Sequence, residues 1–317
     1  MVTSFAALFR RVKPLPNEMA ITVSDYFCDI IPALRIRRKN PGARWVAWLH
    51  HLETPPSERP GNFLSNHLTY RIQRWSLRKI ARHADAAWVL DSLAGDTITE
   101  LLTVFGMAPE KIRRMKNGIE RALIASVPEP EKTVDAIMIG VRPNKGAMDI
   151  VPVWKEVQKR RPGTTLQLAG GCSDLPALAV SLRENGLENH VRLPAASSSY
   201  LPPAEYFAQI KRAKILFAPT HEEGWGIFIA EAMACGLPVA AYGLPVFKTI
   251  YGDAIKTAPA FDTAALAENV CALLDSPESF ATLREKGFAR AAQYDWDAIA
   301  ADDWRAVILG ADGEGCG

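Results

Sequence analysis

The sequence predicts an α/β protein built on two doubly wound parallel sheets, and three observations carry the prediction. In the second half, apolar segments of strand length alternate with helical patterns, the strands falling at 134–139, 165–169, 191–193, 215–219, 239–242 and 254–257. The first half repeats the rhythm less completely, with strands at 20–23, 45–49, 86–90 and 112–115. Between 219 and 239, an apolar strand, a polar glycine-rich loop, a short helix stopped at Gly236 and another apolar strand follow without a break. Ligands of open parallel sheets sit beyond the C-terminal strand ends, where this loop and the one after Ile139 both fall.

Taken in order, residues 1–13 read as a helix whose charges, Arg10 and Arg11, follow its apolar part, the reverse of a signal peptide. Helical periodicity then covers 30–39, 63–81 and 93–105, one crossover after each of the first three strands. Asn117-Gly118 is a strong turn signal and closes a first domain over 1–118. Helices at 149–160, 175–185, 204–212, 227–235 and 246–251 link the strands of a second domain, 119–293, which ends in helices at 264–274 and 280–293. The remainder, 294–317, is a helix at 296–308 and then a frayed tail.

Bulk composition excludes several classes. A chain of 317 residues, 48% hydrophobic and 23% charged, is ordinary globular material long enough for two cores. A net charge of +2 gives no reason to expect nucleic acid. The five cysteines are scattered without metal or redox spacing, which points to reduced thiols and a cytoplasmic setting. No apolar run approaches the roughly 20 residues that span a bilayer. No His–carboxylate group has zinc spacing and no Asp-x-Asp element sits at a plausible sugar site, so neither metal dependence nor a resident cofactor is expected.

The block around 219–239 carries the chemistry. Glu223 precedes the short helix and Glu231 lies inside it, seven residues between them. A rise of about 1.5 Å per residue puts the two roughly 10–12 Å apart along the axis. Between them the helix start, near Gly226 and Ile227, offers unpaired N–H groups and a positive dipole end suited to a diphosphate. A sugar, a diphosphate and a ribose fit in that order. Glu231 is a lone charge among Ile229, Ala230, Ala232 and Met233; an exposed helix carboxylate is the plainer alternative. Gly224 and Gly226 let backbone approach a ligand, or simply punctuate a turn. Trp225 is a packing residue or a base-stacking platform. Arg142 and Lys145, around a Pro-Asn turn, would neutralise the diphosphate and the charge that develops as it leaves.

Four segments in order resemble the retaining family 4 glycosyltransferases of the GT-B fold (glycosyl transferases group 1). They are the Glu223-to-Glu231 block with Gly236-x-Pro238-Val239, the loop 139–146, the segment 111–120 containing Asn117-Gly118, and the strand 84–92. The resemblance implies two Rossmann-like domains facing a cleft and transfer of a hexosyl-type sugar from a nucleotide-diphosphate sugar, with retention, to a glycan, a lipid-linked or a small-molecule acceptor, as in polysaccharide biosynthesis. It implies that Glu223 orients the sugar, Glu231 holds the ribose, and the leaving diphosphate takes the acceptor proton. A histidine near the donor sugar is common in the family, and His50 matches it, with His51 beside it as the alternative. Two departures stand out. The loop 139–146 is shorter than usual, so Lys145 transfers more securely than Arg142. Nothing before Ala20 matches the family's opening strand and Gly-rich loop, so the first domain reads as truncated; an open strand edge there invites association. A non-catalytic nucleotide-sugar-binding or assembly protein and a nucleotide-sugar epimerase on the same scaffold remain as rivals.

The helix over 63–81 sets Arg71, Arg74 and Arg78, followed by Arg82, on one face, with Leu68, Ile72 and Trp75 on the neighbouring stripe. Such a face suits an anionic membrane or a phosphorylated lipid acceptor; a solvated cationic helix with its apolar stripe in the core fits equally.

Overall fold

A computed structural model of the chain describes residues 19–53, 55–57, 62–173, 175–194 and 201–308; the helix expected over 1–13 and the tail 310–317 lie outside them. The chain divides into two compact units, Met1–Lys116 and Asn117–Gly317.

In the first unit, strands β1 (Met19–Thr22), β2 (Arg44–Leu49), β3 (Ala86–Leu90) and β4 (Ile112–Met115) lie parallel in that order. Helices α1 (Phe27–Lys39), α2 (Phe63–His83) and α3 (Leu93–Val104) are the crossovers. Residues of alternate parity, Trp45, Ala47 and Leu49 on β2 and Ala87 and Val89 on β3, pack with Ile30, Leu77, Ile80, Ile98 and Leu102 of the helices. Cap residues set the helix starts: Asn62 accepts from Ser65 N–H and Ser92 from Gly95 N–H. The core stripe of α2 differs from the one its sequence suggests. It runs through Gln73, Ser76, Leu77 and Ile80, while Leu68 and Trp75 stay exposed. The four-residue run to Ile80 and Ala81 matches the sheet, and a helix has room for only one buried stripe there.

The second unit opens with a short helix α4 (Arg121–Ser126), which is too brief to show a period in the sequence. Its sheet has β5 (Val134–Val141), β6 (Leu166–Cys172), β7 (Val191–Arg192), β8 (Ala213–Ala218), β9 (Val239–Tyr242) and β10 (Lys256–Ala258). They pair in parallel as β10-β9-β8-β5-β6-β7, the doubly wound order, so the chain reverses direction across the sheet between β5 and β8. The intervening helices are α5 (Ile150–Arg160), α6 (Leu175–Glu184), α7 (Pro203–Lys211), α8 (Ile227–Ala234) and α9 (Pro245–Tyr251); α10 (Thr263–Asp275), α11 (Pro277–Ala291) and α12 (Trp296–Ile308) follow. Helix α10 packs on α5 and α11 on α8, covering both faces, as right-handed crossovers require when strand order reverses. Trp154 of α5 meets Phe217 of β8 edge-on at 5.3 Å in the core beneath one face.

The start of this unit is fastened to its end. Ile119 N–H donates to Tyr294 O at 2.8 Å and Trp296 N–H to Ile119 O at 3.1 Å. A Cβ on Gly118 would fall 2.2 Å from Trp296 Cε3, so no larger residue fits without moving α12. Among the described residues, no helix is long and apolar enough to cross a membrane.

Candidate functional site

The site forms where strand order reverses in the second unit, from the loops that follow β5 and β8. After Val141 the chain makes a tight turn over Pro143–Lys145 and enters the left-handed region at Gly146, φ +80°. A Cβ at Gly146 would sit 1.9 Å from Pro219 O, so glycine is required twice over, by dihedral and by contact. The two loops are then stitched through backbone, with Asn144 O accepting from His221 N–H at 3.0 Å and from Glu222 N–H at 3.2 Å.

This stitching brings Lys145 to Glu223 across 78 residues of sequence. The Lys145 ammonium pairs with Glu223 Oε2, the two side chains being only 12% and 17% exposed. Glu223 Oε1 accepts from Gly224 N–H at 3.0 Å. The same ammonium lies 4.3 Å from the ring of Phe228, the second residue of α8. A cation and a helix N-terminus thus converge on one spot, with a carboxylate at its edge.

Helix α8 begins after Gly226, whose φ is +91° and whose carbonyl accepts from the buried Tyr251 hydroxyl at 2.8 Å. Its first N–H groups, at Ile227 and Phe228, have no partner within the helix by geometry. Ile227 is 40% exposed, whereas Ile229, Ala230, Ala232 and Met233 are buried. A turn further on, Glu231 is mostly shielded from solvent, and its Oε2 accepts from the Tyr206 hydroxyl of α7 at 2.7 Å. Burial raises the Glu231 carboxyl above its ordinary range, and the Tyr206 hydrogen bond pulls it partly back. The Tyr206 phenol is pushed far up, first by burial and then by the Glu231 charge.

The sequence-predicted residues fall into four groups. Lys145, Glu223, Gly224, Gly226 and Ile227 come together around the start of α8, and Glu231 follows on the same helix. Arg142 is exposed and takes no part in the Lys145–Glu223 pair, and Glu222 beside that pair is exposed as well. Trp225 requires a correction as a ligand contact. The residue is 4% exposed and its ring packs edge-on against Tyr251 at 5.8 Å and Tyr294 at 4.8 Å, so the indole is a core contact rather than a platform open to a base. The reason is geometric: Trp225 is the one large apolar side chain in the loop 222–226, and the rings of Tyr251 and Tyr294 give it a surface to bury against. His50 belongs to the first unit. Its Nε2 lies 2.7 Å from Val23 O, and its ring packs against Trp48 at 5.2 Å. His51 is exposed, 4.0 Å from Glu53 Oε1.

Sequence reasoning missed Tyr206, for which no local signal exists because it reaches Glu231 from 25 residues away. It also missed a neighbouring cluster in which Asp149 Oδ2 accepts from the Tyr242 hydroxyl at 2.8 Å and contacts His221 Nε2 at 2.8 Å. Among the described residues no group of three or more His, Cys, Asp and Glu is arranged to hold a metal.

The family model described as "Glycosyl transferases group 1" matches residues 120–290. A D-inositol 3-phosphate glycosyltransferase of Segniliparus rotundus is 28% identical over 180 residues, 54% of this chain and 39% of that protein. A glycogen synthase of Mycobacterium tuberculosis is 26% identical over 239 residues, 73% of this chain and 55% of that one. The chain therefore spans about 39–55% of the length of these relatives. Among solved structures, Alr3699/HepE of Anabaena in complex with UDP superposes with a TM-score of 0.70 at 15% identity, covering 96% of this chain and 80% of that one. The sucrose-phosphate synthase of Thermosynechococcus elongatus superposes at 0.69 and 18%, covering 93% and 74%. At such identities these likenesses speak for the GT-B fold.

Proposed function

Because this chain belongs to the glycosyl transferases group 1 family, we propose that it transfers a sugar from a nucleotide-diphosphate-sugar donor to an acceptor. The observation that supports the reading best is the meeting of Lys145, Glu223 and the α8 N-terminus at the reversal of strand order. There the diphosphate accepts from the first N–H groups of α8 and from the Lys145 ammonium. The same groups stabilise the charge left on the diphosphate as the sugar–oxygen bond breaks, which lowers the barrier. An ammonium has three N–H donors, so it keeps Glu223 and serves a phosphate together.

Glu223 has one oxygen on Lys145 and the other on Gly224 N–H, which suits a fixed acceptor for sugar hydroxyls rather than a proton carrier. Glu231 accepts from the ribose diol, its plane set by Tyr206. The reaction retains anomeric configuration, with the leaving diphosphate taking the acceptor proton. The acceptor is a glycan, a lipid-linked or a small-molecule hydroxyl, and no metal is needed.

The test is a panel of nucleotide sugars scored for thermal stabilisation and for slow release of sugar and nucleotide. Stabilisation with release is the expected result. Stabilisation without turnover points to a donor-binding assembly protein, and release of nucleotide with an isomerised sugar to an epimerase. If no nucleotide sugar shifts the melting temperature, the reading fails.

Tyr206→Phe separates positioning from binding. The hydrogen bond holds Glu231 in its charged form, so its loss moves the carboxyl further upward. Donor affinity, which needs the carboxylate, should therefore fall at a higher pH on acidification in Tyr206→Phe than in the parent, with little change at high pH. Calorimetry across a pH series reads this, and coincident profiles would remove the assigned role.

A further inference from the structure

A surface of the first unit lies outside everything the donor site uses. Along α2, Leu64, Leu68 and Trp75 are 78%, 61% and 37% exposed, although the helix has its own core stripe through Leu77 and Ile80. At 3.6 residues per turn these three fall within about 40° of one another, and Arg71, Arg78 and Arg74 follow within about 80° on one side. From Phe63 to His83 the helix carries Arg71, Arg74, Arg78, Lys79 and Arg82 and not one Asp or Glu. In a chain of net charge +2, that is a sharp local segregation. Among the described residues none of these five cations is in an ion pair.

The arginines are held ready instead by aromatic rings. Arg74 lies over the Tyr70 ring at 4.8 Å and donates to its hydroxyl at 2.9 Å; Arg78 lies over Phe105 at 4.7 Å. A groove of about 720 Å³ between α1 and α2 is lined by Phe27, Tyr70, Arg71, Arg74, Trp75 and Arg78. Its walls combine guanidinium groups with apolar rings, the chemistry of a phosphate carried on an oily anchor.

We propose that α2 seats this protein on an anionic lipid bilayer. Leu64, Leu68 and Trp75 enter the headgroup region, and Arg71, Arg74 and Arg78 pair with lipid phosphates. Charge complementarity selects the occupant. The exposed apolar stripe favours lipid over nucleic acid, whose backbone offers nothing for two leucines to bury against.

The full chain should sediment with vesicles of phosphatidylcholine containing about 30% phosphatidylserine and stay in solution with phosphatidylcholine alone. Raising ionic strength from about 0.1 to 1 M should release it, because the screening length falls from about 10 to 3 Å. The combined variant Arg71→Ala, Arg74→Ala, Arg78→Ala should lose roughly 100-fold in partitioning, about five-fold per arginine. Leu64→Ser with Leu68→Ser changes only exposed positions and should weaken partitioning while the melting temperature holds, a check that folding is intact. Equal binding to both vesicle types, no binding to either, or unchanged partitioning in both variants overturns the proposal. Retention of duplex RNA or DNA without vesicle binding assigns the face to nucleic acid and overturns it equally. None of these readouts uses a nucleotide sugar, so the outcome is independent of the donor site.

Discussion

Lys145→Ala is expected to weaken nucleotide-sugar binding by roughly 1.5–3 kcal/mol, about 10- to 150-fold in Kd, the range for a hydrogen bond to a charged group. Lys145 is largely buried, pinned by Glu223 on one side and the Phe228 ring on the other, so little side-chain entropy is lost when a phosphate arrives. The variant also leaves Glu223 without its cation at the helix tip, where it repels the incoming diphosphate. The loss should therefore exceed that of Arg142→Ala, whose side chain is exposed and can be solvated in either state. If transfer occurs, kcat should fall as well, since charge on the leaving diphosphate grows in the transition state. Titration calorimetry on the two variants decides it; equal, small losses in both would remove Lys145 from the site.

Glu231→Gln should act in opposite directions on binding and on stability. Binding weakens because a carboxylate that accepts from two ribose hydroxyls becomes an amide with a single accepting oxygen. Stability rises at neutral pH, and the sign follows from linkage. Burial raises the folded-state pKa of Glu231 above its unfolded value, so ionisation favours the unfolded chain. That penalty appears as pH climbs above the unfolded carboxylate pKa and reaches its full size above the raised one. Glutamine carries no such penalty. The melting temperature of Glu231→Gln should exceed that of the parent near neutrality, and the gap should close as the medium is acidified below the ordinary carboxylate range. Scanning calorimetry over pH measures it. A variant less stable than the parent at neutral pH, or a gap that widens on acidification, would show that the carboxylate stabilises the fold.

Glu231 illustrates how much a sequence discloses. Its isolation among Ile229, Ala230, Ala232 and Met233 marked it as unusual, because a charge on an otherwise apolar helix needs a reason to be there. The partner that tunes it, Tyr206, was invisible. Nothing local couples α7 to α8, and only the packing of the second unit sets 206 beside 231. Trp225 is the converse. The loop's composition left it free to be a platform or a core residue, and the nearness of Tyr251 and Tyr294 decided for the core. Helix α2 shows the same division. Its run of arginines was plain, but which of its apolar residues the sheet would cover was not, since Leu68 and Leu77 are equally hydrophobic.

By itself the sequence determined nearly every strand and helix and the order in which they come. Those depend on period and on neighbours within a few residues, namely alternate burial along strands, apolar stripes along helices, and Ser, Asn and Asp caps. It also determined that Glu223 and Lys145 stand in loops after strands and that Glu231 lies inside the short helix. Tertiary structure alone decided that Lys145 meets Glu223, that Tyr206 holds Glu231, and that Leu64 and Leu68 face outward. Each is a contact or a lack of one between segments remote in the chain, fixed by strand order and by the close approach of Gly146 to Pro219. Local pattern carries no information about such pairings, because they arise only when the sheet has closed around its core.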